Sequence, residues 1–143
     1  MSAGTLSVVR VNGSWEMKLR FKGNSLRLRV SRSEVARLLV GDLLEETIHF
    51  TPEPVAKFTY ALQQEQSLSR PTVKYTENRV AIHIPADQTN AWCTTDQVGI
   101  AEDVNLGKLG SLAILIEKDF ACLDRNDEEN EDTFPNPNAG ATC

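Results

Sequence analysis

The chain has 143 residues, of which 41% are hydrophobic and 24% charged, and its formal net charge is -5. That length fits one domain with a core of its own, and the composition excludes a disordered chain. No apolar run approaches the roughly 18 residues that a spanning helix needs, so no membrane partner is expected.

The charge is segregated. Residues 1–123 hold 14 Lys/Arg and 14 Asp/Glu, whereas DRNDEENED (124–132) holds six acids and Arg125, which accounts for the whole excess. Residues 10–37 carry eight bases against two acids, and residues 38–123 carry six bases against twelve acids. A pI near 5.0 argues against bulk affinity for nucleic acid or an anionic membrane. A local basic face is still compatible with it. The start, MSAGTLSVVRVNG, has no basic-then-apolar secretory pattern, so the expected location is cytoplasmic.

In chain order, VVRVN (8–12) reads as a strand, followed by WEMKLRFK (15–22). In the latter, Met17, Leu19 and Phe21 alternate with Lys18, Arg20 and Lys22, the period of a sheet with one buried and one wet face. Gly23-Asn24 supplies hairpin turn residues, and SLRLRVS returns with Leu26, Leu28 and Val30 on one face and Arg27 and Arg29 on the other. A one-residue slip would bury arginine, so the register is doubly specified. Ser31 and Glu34 have capping-box spacing, and Val35, Leu38 and Leu39 follow at helical intervals, which predicts a helix over 32–40 closed at Gly41. Strands are expected at 43–50 and 57–64, separated by Pro52 and Pro54. A second hairpin is expected from 72–76 and 79–85 around Glu77-Asn78, then a short helix over 86–93 and a strand over 97–102. LAILIEKDFA (112–121), apolar on both faces in its first half, reads as a central strand. Residues 124–143 read as an acidic, flexible tail, too polar to offset the entropy of ordering.

These elements predict an α+β fold: a curved, mostly antiparallel sheet of seven to nine strands, with barrel-like closure as one form, and two short helices. Residues 17–123 form the single domain, and 1–16 an N-terminal extension. Residues 19–46 and 73–100 share an element order at a constant offset of 54, with Asn24 on Asn78, Leu28 on Ile82 and Leu38 on Trp92. That suggests an internal ββαβ duplication about a pseudo-twofold axis. Chance agreement of two amphipathic patterns is the plainer alternative.

MKLRFKGNSLRLRVSRSEVARL, EETIHF, DQVGI and LAILIEKDFACLDR…DEENEDTFPNP together resemble an uncharacterised family of small bacterial proteins, a domain of unknown function. The resemblance runs from about Met17 to Asn138. It implies a compact α+β protein of the bacterial cytoplasm and supplies no activity and no functional residues.

The first candidate site is the basic hairpin face. Lys18, Arg20 and Lys22 lie beside Arg27 and Arg29, a density of forks and ammonium groups suited to an anionic ligand or an acidic protein partner. The plainer alternative is a solvated face balanced by acids such as Glu45 or Glu117. If the sheet closed, that face with Glu16, Glu117 and Lys118 would line a charged tunnel. An enzyme handling phosphate esters or nucleotides would follow, although the Glu-x-Glu-x-Lys signature of such tunnels is absent. His49, His83 and Cys93 lack metal-ligand spacing, and Cys122 and Cys143 lack a paired base. The run Asp124, Asn126, Glu128, Asn130, Asp132 resembles half a calcium loop, but Glu129 replaces its glycine and Pro135 its last ligand. No P-loop, dinucleotide fingerprint or Ser-His-Asp pattern occurs, so no metal and no cofactor is expected. The acidic tail could fold back on the basic hairpin; a merely solubilising tail is the simpler reading. The reading that results is a non-catalytic binding or interaction module centred on the basic hairpin, with the tunnel enzyme as the alternative.

Overall fold

The computed structural model describes residues 16–120 and 132–135. The strand expected over 8–12, Cys122, Cys143 and most of the acidic run lie outside them. The described residues form an α+β fold of eight strands and two helices: β1 Lys18–Lys22, β2 Ser25–Val30, α1 Arg32–Leu39, β3 Leu44–His49, β4 Lys57–Glu65, β5 Thr72–Thr76, β6 Arg79–Pro85, α2 Ala86–Thr94, β7 Gly99–Asn105 and β8 Ser111–Lys118. A 3-10 turn at Gly107–Leu109 lies between β7 and β8. Class, strand number and both helices agree with the sequence pattern.

The strands divide between two mixed sheets, ordered β1-β2-β8-β7 and β3-β4-β6-β5, and no closed barrel forms among the described residues. We call them sheets A and B. In each, two antiparallel pairs meet at a parallel central pair, β2 with β8 and β4 with β6. Alternation of polar and apolar residues sets which face is buried but not which strand comes next, and a parallel neighbour must arrive by a long crossover. Here the hairpin β1-β2 is completed by β7-β8, and β5-β6 by β3-β4.

The registers of the two sheets match. Lys18 pairs with Arg29 and Thr72 with His83, the same pair 54 residues on. Ser25 pairs with Ala113 and Arg79 with Thr59, which again correspond at 54. Leu44 pairs with Leu62 and Ile100 with Ile116, so β3 and β7 correspond at 56. The two-residue difference is taken up by the loop after β3 (50–56), which is longer than the one after β7 (106–110).

Local chemistry accounts for the elements. Ser31 N–H donates to Glu34 Oε1 at 3.0 Å, while the Glu34 amide donates to Ser31 Oγ at 3.4 Å, the reciprocal capping box that starts α1. The carboxylate of Asp132 adds to this end: it accepts the Ser33 amide at 3.0 Å and the Ser33 hydroxyl, and its carbonyl accepts the Arg32 amide at 2.9 Å. Phe134 then donates its amide to the Asp119 carbonyl and pairs with Phe120 in a parallel bridge. Asp132–Pro135 is therefore fastened to α1 and the end of β8.

One apolar core joins both sheets and both helices. Leu28, Val30, Leu38, Leu44, Leu62, Ile82, Ile84, Trp92 and Ile116 are fully buried in it. Each such side chain stabilises the fold by roughly 1.5–3 kcal/mol on burial. Trp92 Nε1 donates to the Val98 carbonyl at 3.0 Å, so the largest core residue leaves no buried donor unmet. Gly99 is required where it stands: a Cβ there would lie 2.6 Å from the Ile116 carbonyl oxygen.

Candidate functional site

The hairpin register puts Arg20 opposite Arg27 and Lys18 opposite Arg29 on the outer face of sheet A. The inner face carries Leu26, Leu28 and Val30, which are buried. Like charges opposite one another cost stability, so the neighbouring strand bears on how this face holds together. Glu117 of β8 sits in register with Arg29, and its Oε1 lies 3.1 Å from Arg29 Nε and 3.3 Å from Arg27 Nε. Lys18 Nζ reaches the buried Asp119 Oδ2 at 3.0 Å. Partly exposed pairs of this kind are worth about 0–1 kcal/mol each; their main effect is to orient the side chains. Arg20 and Lys22 make no ion pair with any described residue. Lys18, Arg20, Arg27 and Arg29 line a shallow basin of about 180 Å³, while Lys22 stands apart at the exposed hairpin tip.

The basin is not a general property of this architecture. At the corresponding positions of sheet B stand Thr72, Lys74, Ala81 and His83, in the same register. His83 Nδ1 contacts Glu65 Oε1 at 2.8 Å. Glu45, weighed from sequence as a balancing acid for the basic hairpin, instead pairs with Arg79 at 2.8 Å in sheet B.

The other sequence candidates do not converge. Of the residues weighed as a tunnel lining, Lys118 is buried on the opposite face of β8, donates to the Thr95 carbonyl at 2.7 Å and lies 5.3 Å from the centre of the Phe134 ring. Glu16 belongs to a different hollow. His49 pairs with Lys57 and His83 with Gln63 on β4, six residues apart, which is about 20 Å of strand. The Cys93 thiol donates to the Val35 carbonyl at 3.7 Å, and burial pushes its pKa up to about 11, so it stays protonated at neutral pH. Among the described residues no group of three or more His, Cys, Asp or Glu could hold a metal ion, and no helix is long and apolar enough to cross a membrane.

Sequence reasoning missed a second hollow of about 540 Å³ between β1 and the β3-β4 hairpin. Leu19, Phe21, Ile48, Phe50 and Phe58 line it together with Glu16 and Glu46. Phe21 and Phe58 meet edge to face, their ring centres 6.3 Å apart. Tyr60 Oη donates to the Met17 carbonyl at 2.7 Å, and its pKa is pushed up to about 12 by burial and by the carboxylates of Glu46, Glu16 and Glu34. The signal was faint: Ile48 and Phe50 alternate with His49, but nothing local says that their partners are Leu19 and Phe21 of the other sheet.

Two mixed sheets on one core, a basic basin on one outer face and an aromatic hollow between edge strands define a small α+β domain. The model of a family of unknown function (DUF7009) matches residues 17–138, and the chain belongs to that family. No curated protein and no solved structure shows significant similarity to it.

Proposed function

We propose that the chain is a non-catalytic binding module that holds a phosphate-type anion in the basin formed by Lys18, Arg20, Arg27 and Arg29. The observation that carries this reading is the asymmetry between the sheets: two strands deliver four cations to one basin in sheet A, and the matching positions of sheet B do not repeat them. A charge pattern needed only for folding or solubility would have no reason to respect that difference. Arginine forks suit a tetrahedral oxyanion, and Arg20 brings a guanidinium that no described carboxylate engages. Glu117 holds the other two forks beside it.

Thermal shift against inorganic pyrophosphate tests the reading. A native-state ligand at 100 times its Kd stabilises by about 2.7 kcal/mol. The melting temperature is expected to rise with pyrophosphate, less so at high salt, and not at all in Arg20→Ala/Arg27→Ala. An equal rise in that variant removes the basin from consideration.

We also infer that the chain arose by duplication of a ββαββ unit, β1 to β4 and β5 to β8. The matched registers support it, as does the burial of Leu38 and Trp92 at equivalent places in α1 and α2. The setting proposed with it is the bacterial cytoplasm, as the family resemblance implies.

A further inference from the structure

The cations of the basin stand in rows that continue across sheet A. The row of Arg20 and Arg27 passes on to Leu115 of β8 and Ala101 of β7, with Gly99 and Ala113 beside them on the same face. Beyond Arg27 the outer face therefore becomes a shelf of small and apolar residues. Ala101 is exposed, and Leu115, Ala113 and Gly99 are half-buried.

Sheet B has the same row, but bridged. Ala61 stands at the place of Leu115, Glu45 at that of Ala101 and Arg79 at that of Ser25. Arg79 reaches across β4 and donates its Nη2 and Nε to Glu45 Oε2 at 2.8 and 3.0 Å. Beside this bridge Ala61 is only 1% exposed. In sheet A a serine and an alanine replace both ends of the bridge, and the larger Leu115 stays partly open to solvent. The sheet that carries the basin is thus also the one whose shelf is left uncrossed.

We propose that the ligand of the basin is a nucleoside monophosphate, its phosphate held by Arg20 and Arg27 and its base lying flat on Leu115 and Ala101; this rests on the basin being the anion site. Adjacent strands are about 4.8 Å apart, so Leu115 and Ala101 lie roughly 5 and 10 Å across the sheet from Arg27. A nucleotide places its base at that reach, because the sugar separates base from phosphate. An aryl phosphate would set its ring on the arginines themselves. Gly99 and Ala113 project little from the sheet, which leaves room for a planar group to lie against it. Taking one face of the base out of water on this shelf adds to the charge-assisted contacts of the guanidinium groups. A polynucleotide fits less well. The carboxylates of Glu117 and the exposed Asp103 flank the shelf on the same face and repel further phosphates.

The probes are adenosine monophosphate and ribose 5-phosphate, which share phosphate and sugar and differ in the base, with inorganic pyrophosphate as the reference for the basin. Calorimetric titration of the full chain is expected to show the nucleotide binding about tenfold more tightly than the sugar phosphate, the gain from burying one face of the base. Ser25→Arg/Ala101→Glu recreates the bridge of sheet B and is expected to bind the two alike while keeping a cooperative melting transition. Leu115→Ala, which puts in sheet A the residue that sheet B has there, is expected to narrow the difference. Arg20→Ala/Arg27→Ala is expected to lose all three ligands. Equal binding of nucleotide and sugar phosphate by the wild type, or an undiminished preference for the nucleotide in either folded shelf variant, overturns the inference and leaves the basin standing. Pyrophosphate binding without nucleotide binding does the same. Failure of all three ligands to bind the folded wild type overturns the basin and this inference together.

Discussion

The carboxylate of Glu34 accepts the backbone amide of Met17 at 2.8 Å, tying the strand that opens sheet A to the first turn of α1. The same carboxylate completes the capping box with Ser31, yet Glu34 is only 3% exposed. Burial outweighs these hydrogen bonds and, with a smaller contribution from Glu46, raises its pKa from 4.5 to about 7. Between those two values the folded chain keeps a proton that the unfolded chain has lost. Stability therefore falls as pH rises from about 4.5 to about 7, by an amount on the order of 3 kcal/mol. Urea denaturation at pH 5 and pH 8 reads this directly. Glu34→Gln retains the reciprocal cap and is expected to lose most of the difference; a variant with the wild-type pH dependence would place its origin elsewhere.

A second expectation concerns Gly99. Alanine there would force its Cβ to 2.6 Å from the Ile116 carbonyl and 3.2 Å from Glu117 Cβ, across the β7-β8 ladder. The strand must shift, and overpacking of this kind costs about 1–3 kcal/mol. Chemical denaturation of Gly99→Ala should show that loss. Unchanged stability would mean that β7 moves freely against β8.

The turn between β5 and β6 carries an improvable residue. Glu77 has φ 46° and Asn78 φ 63°, both left-handed. Asparagine tolerates that region, whereas glutamate pays for it with roughly 1–2 kcal/mol. Glu77→Gly is expected to raise stability by about 1 kcal/mol, read as a higher denaturation midpoint; a lower midpoint would contradict the turn geometry.

Asp132 accepts from the Ser33 amide and hydroxyl at the start of α1, a cap supplied from 99 residues away. Asp132→Ala should cost about 1 kcal/mol, as loss of a helix cap does. If denaturation shows no change, the local capping box alone secures that end.

The elements were legible where a local period carried them. The β1-β2 hairpin was doubly constrained, because Leu26, Leu28 and Val30 alternate with Arg27 and Arg29; the α1 boundary followed from Ser31 and Glu34. The same alternation placed the basic residues on one face. It did not show that β2 runs parallel to β8, because pairing across the whole chain leaves no local trace. The offset of 54 read from Asn24 and Asn78 holds for the hairpins, but β3 and β7 need 56, since a loop can absorb two residues without altering either strand's pattern. Phe134 has no periodicity around it, so its packing against Asp119 and Lys118 could not be anticipated within an acidic stretch. Glu117 was foreseen as a partner of the arginines; the hollow beside Phe21 and Phe58 was not, because nothing local to Ile48 and Phe50 says that they share it with Leu19 and Phe21.

The most direct test of the anion-binding account uses the molecule's own internal control. Backbone amide shifts are followed by NMR as inorganic pyrophosphate is added to the full chain. The account predicts saturable shifts at Lys18, Arg20, Arg27 and Arg29, with Thr72, Lys74, Ala81 and His83 unmoved at the same concentrations. Shifts of equal size in both sheets, or none in sheet A, would contradict it.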